Sequence, residues 1–304
     1  MTSKSGAGEL PLAGAWTEGV RRERPWYVMA LRNRRLVIGS LLLLGMLLVA
    51  ALAQALATHD PLLVRPEIRL SRPSAEHRFG TDNFGRDLYS RTVYGARLSL
   101  MVGGMVALLA ALAGTTMGLL GGYYQRVDIV LMRIMDGMMA FPGIVLAVGI
   151  MAAMGPHVAN VIVALSIVQT PRVVRVVRSV VISLRNMQYV EAARCMGVSD
   201  WRMLLRHILP NCISALVVQC TFIFSEAVLG EASLSFLGVG APPEIPSWGV
   251  ILGEARLYIR NAPWMIFLPG TALTVTVLAL NLVGDGIRDW LDPRLRKALW
   301  SGEP

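Results

Sequence analysis

The sequence predicts an all-α integral membrane protein with six transmembrane helices, both termini in the cytoplasm, and a helical elbow on the cytoplasmic side between spans four and five. Three observations carry this. Hydrophobic residues make up 54% of the 304 and the mean hydropathy is +0.54, where soluble domains hold about 45–50% apolar residues even with glycine included. Long apolar runs recur, each suited to cross roughly 30 Å of hydrocarbon as a helix of about 20 residues. Finally, all 29 Lys and Arg residues fall outside these runs, and twenty of them fall in segments that an inside–inside topology assigns to the cytoplasm.

Residues 1–35 form a cytoplasmic N-terminal segment with seven basic residues. They are not a cleavable signal peptide: the segment is long and polar, the apolar run behind it is too long for a signal core, and no small-residue cleavage site follows. The first span, 36–56, is therefore an anchor. Residues 57–97 form a long external loop in which seven basic residues stand beside five acids, a local exception to the charge rule. Within it Leu88, Tyr89 and Val93 lie among polar neighbours, the pattern of an interfacial helix over 86–94. A five-span core over 98–283 follows, with spans at 98–122, 134–154, 158–170, 212–229 and 263–283. The fourth reaches spanning length only by continuing through Pro171 and Arg172 to about Val177, which places an arginine near the interface, where it snorkels. Gly103, Gly104, Gly114, Gly118, Gly121 and Gly122 suit the second span to close packing. Residues 284–304 form a cytoplasmic tail.

The elbow, 186–211, is a polar island. Glu191, Ala192 and Ala193 favour helix, Gly197 suits the left-handed residue that ends one, and Ser199 suits the cap of the next. Trp201, Leu204, Leu205 and Ile208 mark a second short helix, which Pro210 is expected to limit. The segment has the form of a surface held by another protein.

Several chemistries are excluded. The two lysines, Lys4 and Lys297, do not follow glycine, so no Gly-Lys-Ser/Thr loop exists to wrap nucleotide phosphates. There is no Gly-x-Ser-x-Gly elbow and no His-Glu-x-x-His pair. Cys195, Cys212 and Cys220 lack metal spacing, and His59, His77, His157 and His207 are scattered over three loops, so no metal site is expected. Asp136 and Glu226 are the acids inside the spans, too few for a proton relay. The net charge of +9 reads as topological bias rather than nucleic-acid binding, since no aromatic-interleaved basic patch accompanies it.

The elbow also carries a resemblance. Glu191, Ala192, Ala193, Gly197, Leu209 and Pro210 match in register the Glu-Ala-Ala, three residues, Gly, nine residues, Ile-x-Leu-Pro signature of inner-membrane permease subunits of binding-protein-dependent ABC importers. His207 stands where that pattern has isoleucine. Three further segments resemble the second permease of the dipeptide, oligopeptide, glutathione and nickel group. They are His77-Arg-Phe-Gly-Thr-Asp-Asn-Phe-Gly-Arg-Asp-Leu-Tyr-Ser-Arg91, Ser233-Leu-Ser-Phe-Leu-Gly-Val-Gly-Ala-Pro-Pro243 with Trp248-Gly249, and Asn281-Leu-Val-Gly-Asp-Gly-Ile-Arg-Asp289 with Leu291-Asp-Pro-Arg294.

The resemblance implies a non-catalytic subunit that binds no cofactor itself. Partner subunits would bind ATP and Mg. Its implied partners are a paralogous permease completing a heterodimer, two ATP-binding subunits gripping the elbow, an external substrate-binding protein, and the lipid of a bacterial inner membrane. Gly80, Asp82, Gly85, Arg86 and Asp87, with Pro242, Pro243 and Trp248, either dock the external protein or serve as an internal scaffold. Peptides are the implied cargo. The alternative, an autonomous channel or secondary transporter, requires coupling charges or a filter that the spans largely lack.

Overall fold

The computed structural model describes residues 33–291; the remainder of the expected N-terminal segment and most of the expected tail, 1–32 and 292–304, lie outside the described residues. The regular elements described are helical. Helix α1 (Arg34–Ala51) starts at Asn33, whose Oδ1 accepts from the Arg35 and Leu36 amides. A break at Leu52 leads into the short α2 (Ala53–Leu56). A loop then crosses to α3 (Leu88–Tyr123), 36 residues long.

The expected interfacial helix over 86–94 does not exist as a separate element. Asp87 caps α3, accepting the Ser90 amide at 2.8 Å, and Leu88 and Val93 are buried in its first turns. The apparent amphipathy of that stretch arises because polar groups on its other side are paired internally.

The expected third span, 134–154, is not one continuous helix. Helix α4 (Gln125–Met139) and α5 (Gly143–Met154) meet at a bend of 92°. Pro142 has no amide for the ladder and pushes Phe141 out of helical geometry, so the apolar run cannot stay in one axis. At 12 residues, α5 is only about 18 Å long and does not cross a bilayer alone.

Helix α6 (Val158–Arg185) continues well past the expected end at Val177 and keeps Pro171 inside it. Arg172 is consequently in mid-helix, where it meets Glu226 from a neighbouring helix. Helices α7 (Gln188–Cys195) and α8 (Asp200–Arg202) form the elbow, and α8 passes through a π turn, Met203–Ile208, into α9 (Leu209–Phe236). Then come α10 (Trp248–Ala255) and α11 (Trp264–Leu291), the latter extending eight residues beyond the expected sixth span. Among the described residues five helices are long and apolar enough to cross a membrane, six if the bent pair counts as one span.

The core lies between α3, α6 and α9. Gly114, Gly118 and Gly122 recur every four residues on α3 and face Val173, Val177 and Val181, spaced likewise on α6. A Cβ at Gly118 would stand 2.8 Å from that of Val177, and one at Gly122 2.6 Å from that of Val181. Small residues on one helix thus receive stiff β-branched side chains from the other, which is how helices associate where hydrophobic exclusion from water is unavailable.

Candidate functional site

The elbow is built by a helix stop and a helix start. The Gly197 amide donates to Arg194 O at 3.0 Å and the Val198 amide to Ala193 O at 3.2 Å, with Gly197 at φ +77°. This is the paired bonding that ends a helix through a left-handed residue. No atom crowds Gly197, so glycine is required there by backbone conformation rather than by space. Ser199 occupies the cap position of α8 as expected, but its side chain makes no capping bond. Its neighbour Asp200 serves instead as a staple, accepting from the Tyr123 and Tyr124 hydroxyls at 2.6 and 3.1 Å. Those tyrosines stand at the α3–α4 junction, and Arg194 lies 5.8 Å from the Tyr123 ring centre.

Pro210 does not limit a short second helix; the chain is helical from Asp200 to Phe236. The reason is the π turn. In it the Leu209 amide reaches back to Leu204 O, and the Asn211 side chain donates to His207 O at 2.8 Å. The shifted ladder absorbs the residue that has no amide. Of the sequence-marked residues, Ala193, Leu204 and Ile208 face the core and Leu209 is half-buried, while Glu191, Ala192, Leu205 and Pro210 are exposed. Met196 (77% exposed) and Trp201 (66%) flank Gly197 at the tip.

At the opposite end the predicted segment is folded inward. Asp82 is fully buried and its carboxylate takes four bonds: the Phe84 and Arg86 amides at 2.8 and 2.9 Å, Arg86 Nε at 2.7 Å and Arg91 Nη1 at 2.6 Å. Glu254 of α10 closes the other side, accepting from Arg86 Nη2 at 2.9 and 2.8 Å. Burial raises the Glu254 carboxyl to about 7, against the opposing pull of Arg86. Burial would also lift Asp87, but bonds from His77 and from the Ser90 amide and hydroxyl outweigh it and hold that carboxyl below its usual value. Gly80 and Gly85 both sit at positive φ with a neighbouring backbone carbonyl, Ser71 O and Arg65 O, where a Cβ would be. Two of the four histidines meet here: one ligand atom from each of His59, Glu76 and His77 lies within 4.8 Å of the others.

Trp248 is fully buried, its indole donating to Thr92 O at 3.0 Å, while Pro242 is half-buried and Pro243 exposed. Sequence reasoning missed the hub beside it. Fully buried Glu231 accepts from Ser99 at 3.0 Å and from Ser235 and Ser247 at 2.8 Å each, tying α3, α9 and the start of α10 together. It was missed because the fifth span was ended at Leu229, two residues short. Glu254 was missed because nothing local to it signals its partners 163 and 168 residues away.

A family model described as the binding-protein-dependent transport system inner membrane component matches residues 110–297. The chain belongs to this family. It is a permease subunit of an ABC importer, a multi-pass inner-membrane protein that works with other transporter subunits. The permease is 49% identical over 88% of its length, and 90% of the relative's, to a putative peptide transport system permease protein of Brucella abortus. It is 43% identical to the dipeptide transport system permease protein of Alkalihalophilus pseudofirmus and 42% to the glutathione transport system permease protein of Pectobacterium atrosepticum, covering 90% of its own chain and 91% of each relative.

Proposed function

We propose that the permease carries short peptides or chemically similar small solutes, and that separate ATPase subunits drive it through the elbow. In this reading the elbow and both termini lie in the cytoplasm, ATP and Mg are bound by those two partner subunits, a paralogous permease completes the path, and an external binding protein delivers the cargo. The relatives' names support the cargo class. The observation that carries the coupling role is the elbow tip: Met196 and Trp201 present large apolar side chains on either side of Gly197 that the described residues leave mostly exposed, while Asp200 fixes the tip to the helix bundle. Exposed anchors on a fixed base are what a partner surface engages. At the other end, burial of Asp82, Arg86 and Trp248 favours a scaffold role, which leaves Pro242 and Pro243 as the candidates for external docking.

Gly197→Pro places a ring that demands φ near −65° where the chain needs +77°, and Glu191→Lys reverses the charge on the exposed face of α7. Both are expected to insert normally and to abolish uptake in the assembled importer. Uptake and ATPase stimulation at wild-type levels in both variants would refute the coupling role.

A further inference from the structure

Helix α6 carries Arg172, Arg175 and Arg178 at three-residue intervals, and each meets an acid from one of two neighbouring helices. Arg172 pairs with Glu226 of α9, Arg175 with Asp136 of α4 at 2.7 Å, and Arg178 with Asp128 of α4, its Nη2 reaching the carboxylate at 2.7 Å. The ladder starts in mid-bundle. Arg172 is 13 residues from the elbow end of α6 and 14 from the other, so about 20 Å of helix lies on either side. Glu226 is ten residues, about 15 Å, from the far end of α9.

Charges at that depth do not face lipid; they turn to the bundle interior or to a water-filled path. This pair is not interior. The Arg172 and Glu226 side chains keep 46% and 43% of their surface open, so in the assembled importer they face either water or the second permease. A neighbouring amide fixes the pair in place: Gln169 is 94% buried and its Nε2 donates to Glu226 Oε2 at 3.1 Å. Charged groups held at this depth with part of their surface open characteristically line water-filled paths.

We infer that Arg172 and Glu226, with Gln169 positioning the carboxylate, form a mid-membrane way-station on the translocation path for zwitterionic substrates, with Arg172 taking the terminal carboxylate and Glu226 taking the terminal ammonium. This rests on the proposed peptide cargo. A half-exposed ion pair is weakly held and exchanges partners readily, and the guanidinium fork matches a carboxylate bidentately. A peptide with free termini brings the complementary pair of charges. It can replace Arg172–Glu226 contacts by equivalent ones without leaving a charge unmatched. Arg175 and Arg178 continue the same row toward the elbow, and their pairing with acids keeps the row from holding the carboxylate so tightly that it cannot leave.

The test uses the complete importer in proteoliposomes with its loaded binding protein, in a background where Cys195, Cys212 and Cys220 are serine. Arg172→Cys and Glu226→Cys are treated with a small charged methanethiosulfonate, with Leu112→Cys on the exposed apolar face of α3 as the reference. The two path positions should react at least tenfold faster than Leu112→Cys, and a dipeptide supplied during turnover should slow them at least threefold. Arg172→Gln and Glu226→Gln should each lower dipeptide uptake about tenfold, with Arg172→Lys recovering most of it. Unreactive cysteines, or reactive ones that the dipeptide does not protect, overturn the way-station and make the pair a permease–permease contact or a structural tie; so does uptake at the wild-type rate in both glutamine variants. Failure of the underlying cargo reading looks different: the unmutated importer then shows no dipeptide uptake at all.

Discussion

The two ends of the helix bundle solve opposite problems with the same kinds of residue. At the end that carries Asp82, two arginines, two carboxylates and two positive-φ glycines are turned inward, with each charge matched inside the chain. At the elbow, one positive-φ glycine stands in open space, and large apolar side chains are left uncovered around it. Thus the charge cluster at the first end is paired within the chain, whereas the large side chains at the elbow tip are left uncovered. That uncovered tip is what the proposed coupling role requires.

If that contrast is real, the two ends must respond differently to substitution. The largest expected loss is at Asp82. Asp82→Ala strands Arg86 and Arg91 with only Glu254 to share, and removing one partner of a buried charge set costs about 3–5 kcal/mol. Detergent-solubilised variant should lose its folded peak at a markedly lower temperature than wild type, and membrane yield should fall. An unchanged melting temperature would show that the inward-turned end is not a scaffold. A smaller loss, about 1–3 kcal/mol, is expected for Gly118→Val, which overpacks the α3–α6 seam against Val177. Its readout is the same thermal assay, and an effect equal to that of Asp82→Ala would mean that the helix seam rather than the charge cluster holds the bundle.

What the sequence disclosed and what it hid follow the same divide. Gly197 was legible because a helix stop is local: a glycine after a helical run needs no distant information. The apolar runs were legible by length, five of them as single spanning helices among the described residues. The break at Pro142 is written in Phe141-Pro142-Gly143, whereas the expected span there rested on the apolar count alone. Pro210 misled for the opposite reason: a proline signals a helix stop unless the preceding turn widens to the π register, and that depends on how the helix packs. The arginine row at 172, 175 and 178 was visible as spacing, but its meaning was not, because the matching acids come from 39 to 54 residues away. Asp82 with Glu254, and Glu231 with its serines, needed the fold itself.

The smallest expected effect on stability is at the elbow, and it is the most discriminating. Trp201 is 66% exposed and makes no contribution to the buried core, so Trp201→Ala should change the stability of the isolated permease by less than about 0.5 kcal/mol, as surface substitutions generally do. In the assembled importer the same change removes a large exposed aromatic of the sort that dominates partner interfaces. ATPase subunits should therefore co-purify poorly with the variant, and uptake should fall at least tenfold while melting of the permease alone stays where it was. Asp200→Ala separates the two contributions to the elbow. It leaves Met196 and Trp201 in place but cuts the tip loose from Tyr123 and Tyr124, so the ATPase subunits should still co-purify while transport per ATP hydrolysed declines. Were Trp201→Ala to melt early and Asp200→Ala to transport normally, the elbow would be one more internal brace, and the difference between the two ends of the molecule would vanish.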